Sequence, residues 1–302
     1  MFTSVEQTIA ELEKEKYIAS REIATTVYLA LRLEKPVLVE GPAGVGKTEL
    51  AKCIATALNI DLIRMQCYEG LDEAKALYEW EYAKQLLYTQ ILKDKLSEIM
   101  GTEETLKGAV NKLSTAEDVF FSEKFLIPRP ILKAITMQKR SVLLIDEIDK
   151  SDSEFEAFLL EVLSDFQVTI PEIGTFKTDV KPFVILTSNS AREMSDALKR
   201  RCLHLYIDYP TLELEEKIVS LKVPESGERL IRQVVETVHR IRDLQLKKEP
   251  SISETLDWTK ALVLLGYQDL EPKIAADTLN FILKYEKDIE LAMKESKNIF
   301  RN

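Results

Sequence analysis

One octapeptide constrains this chain more than anything else in it: Gly41-Pro-Ala-Gly-Val-Gly46-Lys47-Thr48, the pattern G-x-x-x-x-G-K-[ST]. It lies between an apolar run, PVLVE at 36–40, and a segment carrying Leu50, Ile54 and Leu58 at helical spacing. A strand that feeds a helix through such a turn aims several backbone N–H groups at one point, backed by the positive end of the helix. The glycines supply the backbone freedom that the turn demands. Lys47 is then placed to reach β- and γ-phosphates, and the Thr48 hydroxyl to enter a Mg²⁺ shell. A glycine-rich turn that binds nothing is the bland alternative, and the complete motif in a strand–helix context argues against it.

The alternation that frames this loop continues down the chain. LIRMQC (62–67), SVLLID (141–146), FVILT (183–187) and LHLYID (203–208) are short apolar runs separated by helical patterns, which predicts a parallel α/β sheet because parallel neighbours need crossovers. Residues 1–35 read as helix, with Val5, Ile9, Leu12, Ile23, Val27 and Leu31 on its apolar side. Residues 68–140 are too long for one crossover and predict inserted helices. FQVTIPEIGTFKTD predicts a β-hairpin insert over 166–181. Beyond Pro210 no strand is expected: Ser251 and Glu254 fit a capping box, and Ala275, Leu279, Ile282, Ile289 and Met293 suggest one last apolar stripe. The division expected is 1–210 for an α/β core and 211–302 for a smaller all-helical domain.

Charge narrows the choice of partners. Forty-one basic against 51 acidic residues give a net charge of −10, which disfavours a molecule that coats nucleic acid or an anionic membrane. The opening MFTSVEQTIAELEKEK has no apolar core of a secretory signal, and no run of 18 apolar residues occurs. Cys53, Cys67 and Cys202 are too far apart for a zinc pattern and read as reduced, buried residues of a cytoplasmic protein.

Three further features carry chemistry. Val142-Leu-Leu-Ile145-Asp146-Glu147 is an apolar strand that ends in two carboxylates. Beside a phosphate loop, Asp146 can hold the water shell of Mg²⁺ and Glu147 can polarise a water as general base; read alone, the pair could equally be solvated or cap a helix. Asn189 ends the next strand, where an amide can orient that water, although asparagine is also a common turn residue. Lys199-Arg200-Arg201 is in the ordinary case a solvated triplet, but a guanidinium there can reach the γ-phosphate held by a neighbouring subunit.

Taken together, these elements resemble an AAA+ ATPase. EGPAGVGKTELAK, QCYEGLDEAKALYEW, VTIPEIGTFK and TSNSAREMSDALKRRCLHLYIDYP resemble more narrowly the MoxR family, its CoxD-like branch above all. The resemblance implies a P-loop NTPase core with a five-stranded parallel sheet of order 5-1-4-3-2, a helical lid, and ATP or ADP with Mg²⁺ bound between subunits of a ring, usually a hexamer. Carried onto this chain, Gly41, Pro42, Ala43, Gly44, Val45, Gly46, Lys47 and Thr48, with Glu49, form the nucleotide loop (Walker A). Asp146 and Glu147 form Walker B, with Thr48 and Asp146 at the metal. Asn189 is sensor 1, and Arg201 acts in trans as the arginine finger, with Arg200 second. The lid stretch SISETLDWT (251–259) lacks the arginine that many relatives use as sensor 2, so none is assigned.

The activity implied is ATP hydrolysis by a chaperone-like ring that remodels or matures a partner protein, one with a von Willebrand factor A domain being the expected type. The competing reading is a DNA-associated motor or loader, with Arg240, Arg242, Lys247 and Lys248 as its phosphate contacts. The aromatic group Tyr78, Trp80 and Tyr82 reads as packing in preference to a binding surface, and His204, between Leu203 and Leu205, as structural.

Overall fold

A computed structural model of the chain describes residues 2–88, 90, 122–171 and 173–300. Its N-terminal stretch is helical as expected, in two helices, α1 (Val5–Lys14) and α2 (Arg21–Leu33). Ser4 and Ser20 cap them, each hydroxyl accepting from the N–H three residues on, and Lys16 at φ 59° makes the break between them.

Among the described residues there are nine strands: β1 (Val37–Glu40), β2 (Asp61–Gln66), β3 (Tyr78–Trp80), β4 (Leu126–Pro128), β5 (Ser141–Asp146), β6 (Gln167–Ile170), β7 (Gly174–Lys177), β8 (Phe183–Ser188) and β9 (Leu203–Tyr206). Five form one parallel sheet in the order β2-β5-β8-β1-β9; numbered by themselves along the chain they read 5-1-4-3-2 from the β9 edge. Side chains alternate across it as strand geometry requires. Leu38, Leu143, Ile145, Val184 and Leu186 point into the core on one face. Val37, Val39, Val142, Leu144, Phe183 and Ile185 point into that on the other.

The crossovers are helical. α3 (Lys47–Leu58) leaves the tip of β1, while α4 (Glu73–Leu77) and α5 (Pro130–Thr136) pack on the opposite face, where Ala76, Leu77, Ile131, Leu132 and Ile135 are buried. α6 (Ser153–Asp165) precedes the hairpin, and α7 (Asp196–Arg201) leads into β9. The hairpin strands β6 and β7 pair antiparallel around their turn, within the 166–181 insert.

Two expectations need correction. The 68–140 segment is not simply inserted helix: Tyr78–Trp80 pairs antiparallel with Leu126–Pro128 as a small ribbon. Aromatic–acid–aromatic is a strand's period of two, with Trp80 buried while Glu79 faces out, and three residues are too few for that period to stand out. Tyr82, grouped with them in the sequence, is 66% exposed. Residues 91–121 of the same segment lie outside the described residues. The second correction concerns the last apolar stripe, which is not one helix.

After Tyr206 the chain is helical: α8 (Leu212–Lys222), α9 (Glu228–Arg242), α10 (Ile252–Leu264), α11 (Pro272–Asp277), α12 (Glu286–Lys294) and α13 (Ser296–Ile299). A 3₁₀ turn at Leu279–Phe281 separates α11 from α12. Ala275, Leu279 and Ile282 share one buried cluster with Ile289 packed against it, whereas Met293 is 45% exposed. The capping box forms at the start of α10: Ser251 and the Glu254 carboxylate hold one another's backbone end. No helix of the described residues is long and apolar enough to cross a membrane.

Candidate functional site

The tips of β1, β5 and β8 lie side by side, and the sequence-predicted residues converge there. Gly41 leaves β1 at φ +145°, packed so that a Cβ would collide with the Ile207 carbonyl oxygen. Gly44 and Gly46 also have positive φ, +77° and +98°, so the loop turns back over the start of α3. Lys47 is buried, its Nζ donating to the carbonyls of Gly41 (2.7 Å) and Pro42 (2.6 Å). Burial lowers its pKa from the ordinary lysine range, and the nearby carboxylates Asp149, Asp146 and Glu147 work against that shift.

One residue on, Thr48 Oγ1 donates to Asp146 Oδ1 at 3.0 Å, joining loop and β5 across 98 positions of sequence. Asp146 is buried, and three more donors reach it: Thr187 Oγ1 at 2.5 Å, and Arg64 through Nε (3.0 Å) and Nη2 (2.6 Å). Glu147 has left-handed backbone, φ 57° and ψ 51°. Its N–H donates to Thr187 Oγ1 at 2.9 Å. Its carboxylate meets Gln66 Nε2 (2.7 Å), Lys150 Nζ (2.5 Å) and Asn189 Nδ2 (3.4 Å), and the bond to Glu147 raises the pKa of Lys150. Asp149, buried behind them, accepts from the N–H groups of Asn189 (3.2 Å) and Ala191 (3.1 Å), which sets the loop that carries Asn189.

Sequence reasoning missed Arg64, Gln66, Thr187 and Asp149. The parallel register pairs Gln66 with Asp146 and puts Arg64 opposite Leu144, so both reach the carboxylates from the adjacent strand. A period of two along β2, with Arg64 and Gln66 exposed between buried Ile63, Met65 and Cys67, is the signal that could have found them. Cys67 is buried deeply enough to push its thiol up to about 12, which removes it from nucleophilic chemistry.

Beside the loop opens a cavity of about 740 Å³. Ile18 from the connection between α1 and α2, Ile23 from α2, Tyr209 after β9, and Leu214, Ile218 and Leu256 from the C-terminal helices line it, together with Gly44 to Gly46. Its size and apolar walls suit a flat heteroaromatic base. Lys222 of α8 crosses to Glu49 of α3 at 2.9 Å, holding Glu49 below the ordinary carboxylate range through that hydrogen bond. Ser253 Oγ donates to the Gly44 carbonyl at 3.4 Å, so α10 rests its N-terminus on the loop.

A hydroxyl and one carboxylate are hard oxygen donors suited to Mg²⁺, which completes its shell with phosphate oxygens and water. No group of three or more His, Cys, Asp or Glu side chains able to cage a metal occurs among the described residues. Arg201 lies elsewhere, at the exposed end of α7, its Nε donating to Ser164 Oγ at 3.0 Å; Arg200 is exposed beside it. Neither joins the cluster around Lys47.

Residues 37–209, more than half of the chain, match the model of the ATPase family associated with various cellular activities (AAA). The chain belongs to this AAA family. An uncharacterized protein of Staphylococcus haemolyticus is 26% identical to it over 261 residues, covering 84% of this chain and 85% of that one. An uncharacterized Staphylococcus aureus protein is 24% identical over 238 residues, 76% of each chain. Among solved structures, the Thermotoga maritima RuvB Holliday junction branch migration motor aligns at 17% identity with a TM-score of 0.47, covering 99% of this chain and 78% of the other. A mutant form of the same RuvB gives 17% identity and a TM-score of 0.49, covering 95% and 75%.

Each of the basic residues that a nucleic-acid reading needs is engaged with another group of the chain. Arg242 is buried in a two-pronged pair with Glu215 (2.5 and 2.8 Å), Arg240 bonds Glu236 and the Ile299 carbonyl, Lys248 faces Glu254, and Lys247 lies 4.0 Å over the Tyr285 ring. His204 bonds Glu40 at 2.7 Å between neighbouring strands, a structural role. All three cysteines are buried and free.

Proposed function

We propose that this AAA protein hydrolyses ATP with Mg²⁺ as a ring of MoxR type, and that the turnover remodels or matures a partner protein, one with a von Willebrand factor A domain. In this reading residues 1–210 are the nucleotide-binding core and 211–302 the lid, and the 740 Å³ cavity between them takes the adenine and ribose. The observation that carries it is the 3.0 Å contact of Thr48 with Asp146, which sets the phosphate loop beside the Glu147 carboxylate and the Asn189 amide.

Each residue then has a defined task. The loop N–H groups and Lys47 neutralise phosphate charge, and Lys47 needs only to leave the Gly41 and Pro42 carbonyls to do so. Thr48 and Asp146 hold Mg²⁺, whose chemistry is to neutralise charge on the bridging and terminal phosphate oxygens. Glu147 takes a proton from the attacking water, which Asn189 orients. Arg201, exposed and far from its own loop, serves the γ-phosphate of an adjacent subunit, and a hexameric ring supplies that neighbour. The start of α10 touches the loop through Ser253, and no residue there is assigned as sensor 2.

A DNA motor finds less support: the net charge is −10, and the four basic residues nominated for phosphate contact are engaged with carboxylates, a carbonyl or a ring. The test is steady-state ATP turnover of wild type and Glu147→Gln, each with and without single-stranded and duplex DNA. The substitution is expected to cut the rate at least ~100-fold, the lower end for loss of a general base, while ATP remains bound. An unchanged rate would sink the assignment of Glu147, and strong stimulation by DNA would favour the motor.

A further inference from the structure

Arg64 is in an unusual place for a cation. Its guanidinium makes two hydrogen bonds to Oδ2 of Asp146, the buried carboxylate that also receives the Thr48 hydroxyl. The side chain itself is half exposed, so it can swing away into solvent without unfolding anything. The same Nη2 donates to Gln66 Oε1 at 2.8 Å, and the Gln66 amide donates onward to Glu147 Oε2 at 2.7 Å. One continuous chain of bonds therefore runs from Asp146 through Arg64 and Gln66 to Glu147.

Two consequences follow from charge and hydrogen-bond capacity. A divalent cation next to Asp146 and a guanidinium on the same carboxylate oxygen repel each other, so the two partners compete. Once Arg64 turns outward, the Gln66 side-chain oxygen loses its donor, while Lys150 and Asn189 still hold the Glu147 carboxylate.

We propose that Arg64 and Mg²⁺ are mutually exclusive partners of Asp146, so that Arg64 must leave the carboxylate when the metal arrives. The inference rests on the reading of Thr48 and Asp146 as the metal site. It goes further by making Arg64 a positioning residue that occupies Asp146 until Mg²⁺ displaces it. Arg64 touches neither nucleotide nor water in this role.

The experiment measures binding rather than turnover. A fluorescent ADP is titrated onto wild type, Arg64→Met, Asp146→Asn and the double variant, first in EDTA and then across a Mg²⁺ series. Circular dichroism checks each fold, and Arg64→Gln stands in if Arg64→Met does not fold. Removing a half-exposed ion pair is expected to lower the Mg²⁺ midpoint of Arg64→Met about 5-fold, while ADP affinity in EDTA stays unchanged. In the Asp146→Asn background the same substitution is expected to move nothing, because the shared carboxylate is gone. A midpoint that stays put or rises in Arg64→Met overturns the proposal, as does an equal shift with and without Asp146. Either failure leaves the ATPase reading standing, since that reading is judged on Glu147→Gln turnover.

Discussion

Thr187 is a buried hydroxyl on which both acidic residues of the site lean, and replacing it by valine removes the hydroxyl at nearly constant volume. Its Oγ1 donates to Asp146 Oδ1 at 2.5 Å and accepts the Glu147 N–H at 2.9 Å. A hydrogen bond to a charged group contributes about 1.5–3 kcal/mol, and a buried N–H left without an acceptor costs about 1–3 kcal/mol. Asp146 keeps Thr48 and Arg64 as donors, which offsets part of the loss. A net destabilisation of about 2–4 kcal/mol is expected, or roughly 3–6 °C in Tm for a chain of this size. The effect on turnover has a separate cause. Glu147 holds a left-handed backbone that costs a non-glycine residue about 1–2 kcal/mol, and the bond to Thr187 helps keep it there. Freed from that bond, Glu147 relaxes away from the Asn189 side of the site, and ATP turnover is expected to fall about tenfold beyond any loss of folded protein. Thermal unfolding in EDTA and steady-state ATPase assays read the two effects, with Thr187→Ser expected to restore both. If Thr187→Val unfolds within about 0.5 kcal/mol of wild type, or hydrolyses ATP at the wild-type rate, Thr187 does not organise the acidic pair.

Two further outcomes are expected. Arg242→Met leaves Glu215, which is fully buried, without its two-pronged partner, and should destabilise the C-terminal helices by about 3–5 kcal/mol in chemical denaturation. The double variant Arg242→Met/Glu215→Leu should recover most of that loss, and a double variant no better than the single would show that the charge was not the cause. Glu49 has its pKa lowered by Lys222, so the stability it contributes is present above the ordinary value of 4.5 and disappears as pH falls through the lower folded value. Lys222→Met should flatten that acid limb in a series of melts below pH 4.5, and an acid limb identical to wild type would mean that the Glu49–Lys222 contact does not link α3 to α8.

The parts legible in the sequence were those whose information is local. A contiguous loop motif, apolar runs of four to six residues, a glycine-bearing hairpin turn and the Ser251–Glu254 cap each state their geometry within a few positions. Arg64, Gln66 and Thr187 were hidden because their meaning comes from register: β2 and β8 flank β5 in space but lie some 80 residues before it and 40 after it in the chain. The cavity likewise draws its walls from both termini of the described chain, Ile18 and Leu256 among them, and no window of sequence holds them together. The β3–β4 ribbon was hidden by brevity. Met293 shows the opposite error: its spacing continued the apolar stripe, but Ile289, one turn earlier in α12, packs on the buried cluster while Met293 near the helix end is half exposed.

The most direct test of the central claim, that ATP is cleaved between two copies of this chain, is a subunit-mixing assay. Lys47→Ala cannot grip phosphate but still offers Arg201, whereas Arg201→Ala grips phosphate but offers no arginine. In an equimolar random ring about one quarter of the sites pair an Arg201→Ala loop with a Lys47→Ala neighbour, so turnover near a quarter of the wild-type rate should return from two nearly inactive proteins. A mixture that co-assembles yet stays inactive, or an Arg201→Ala protein that is fully active by itself, would contradict the claim.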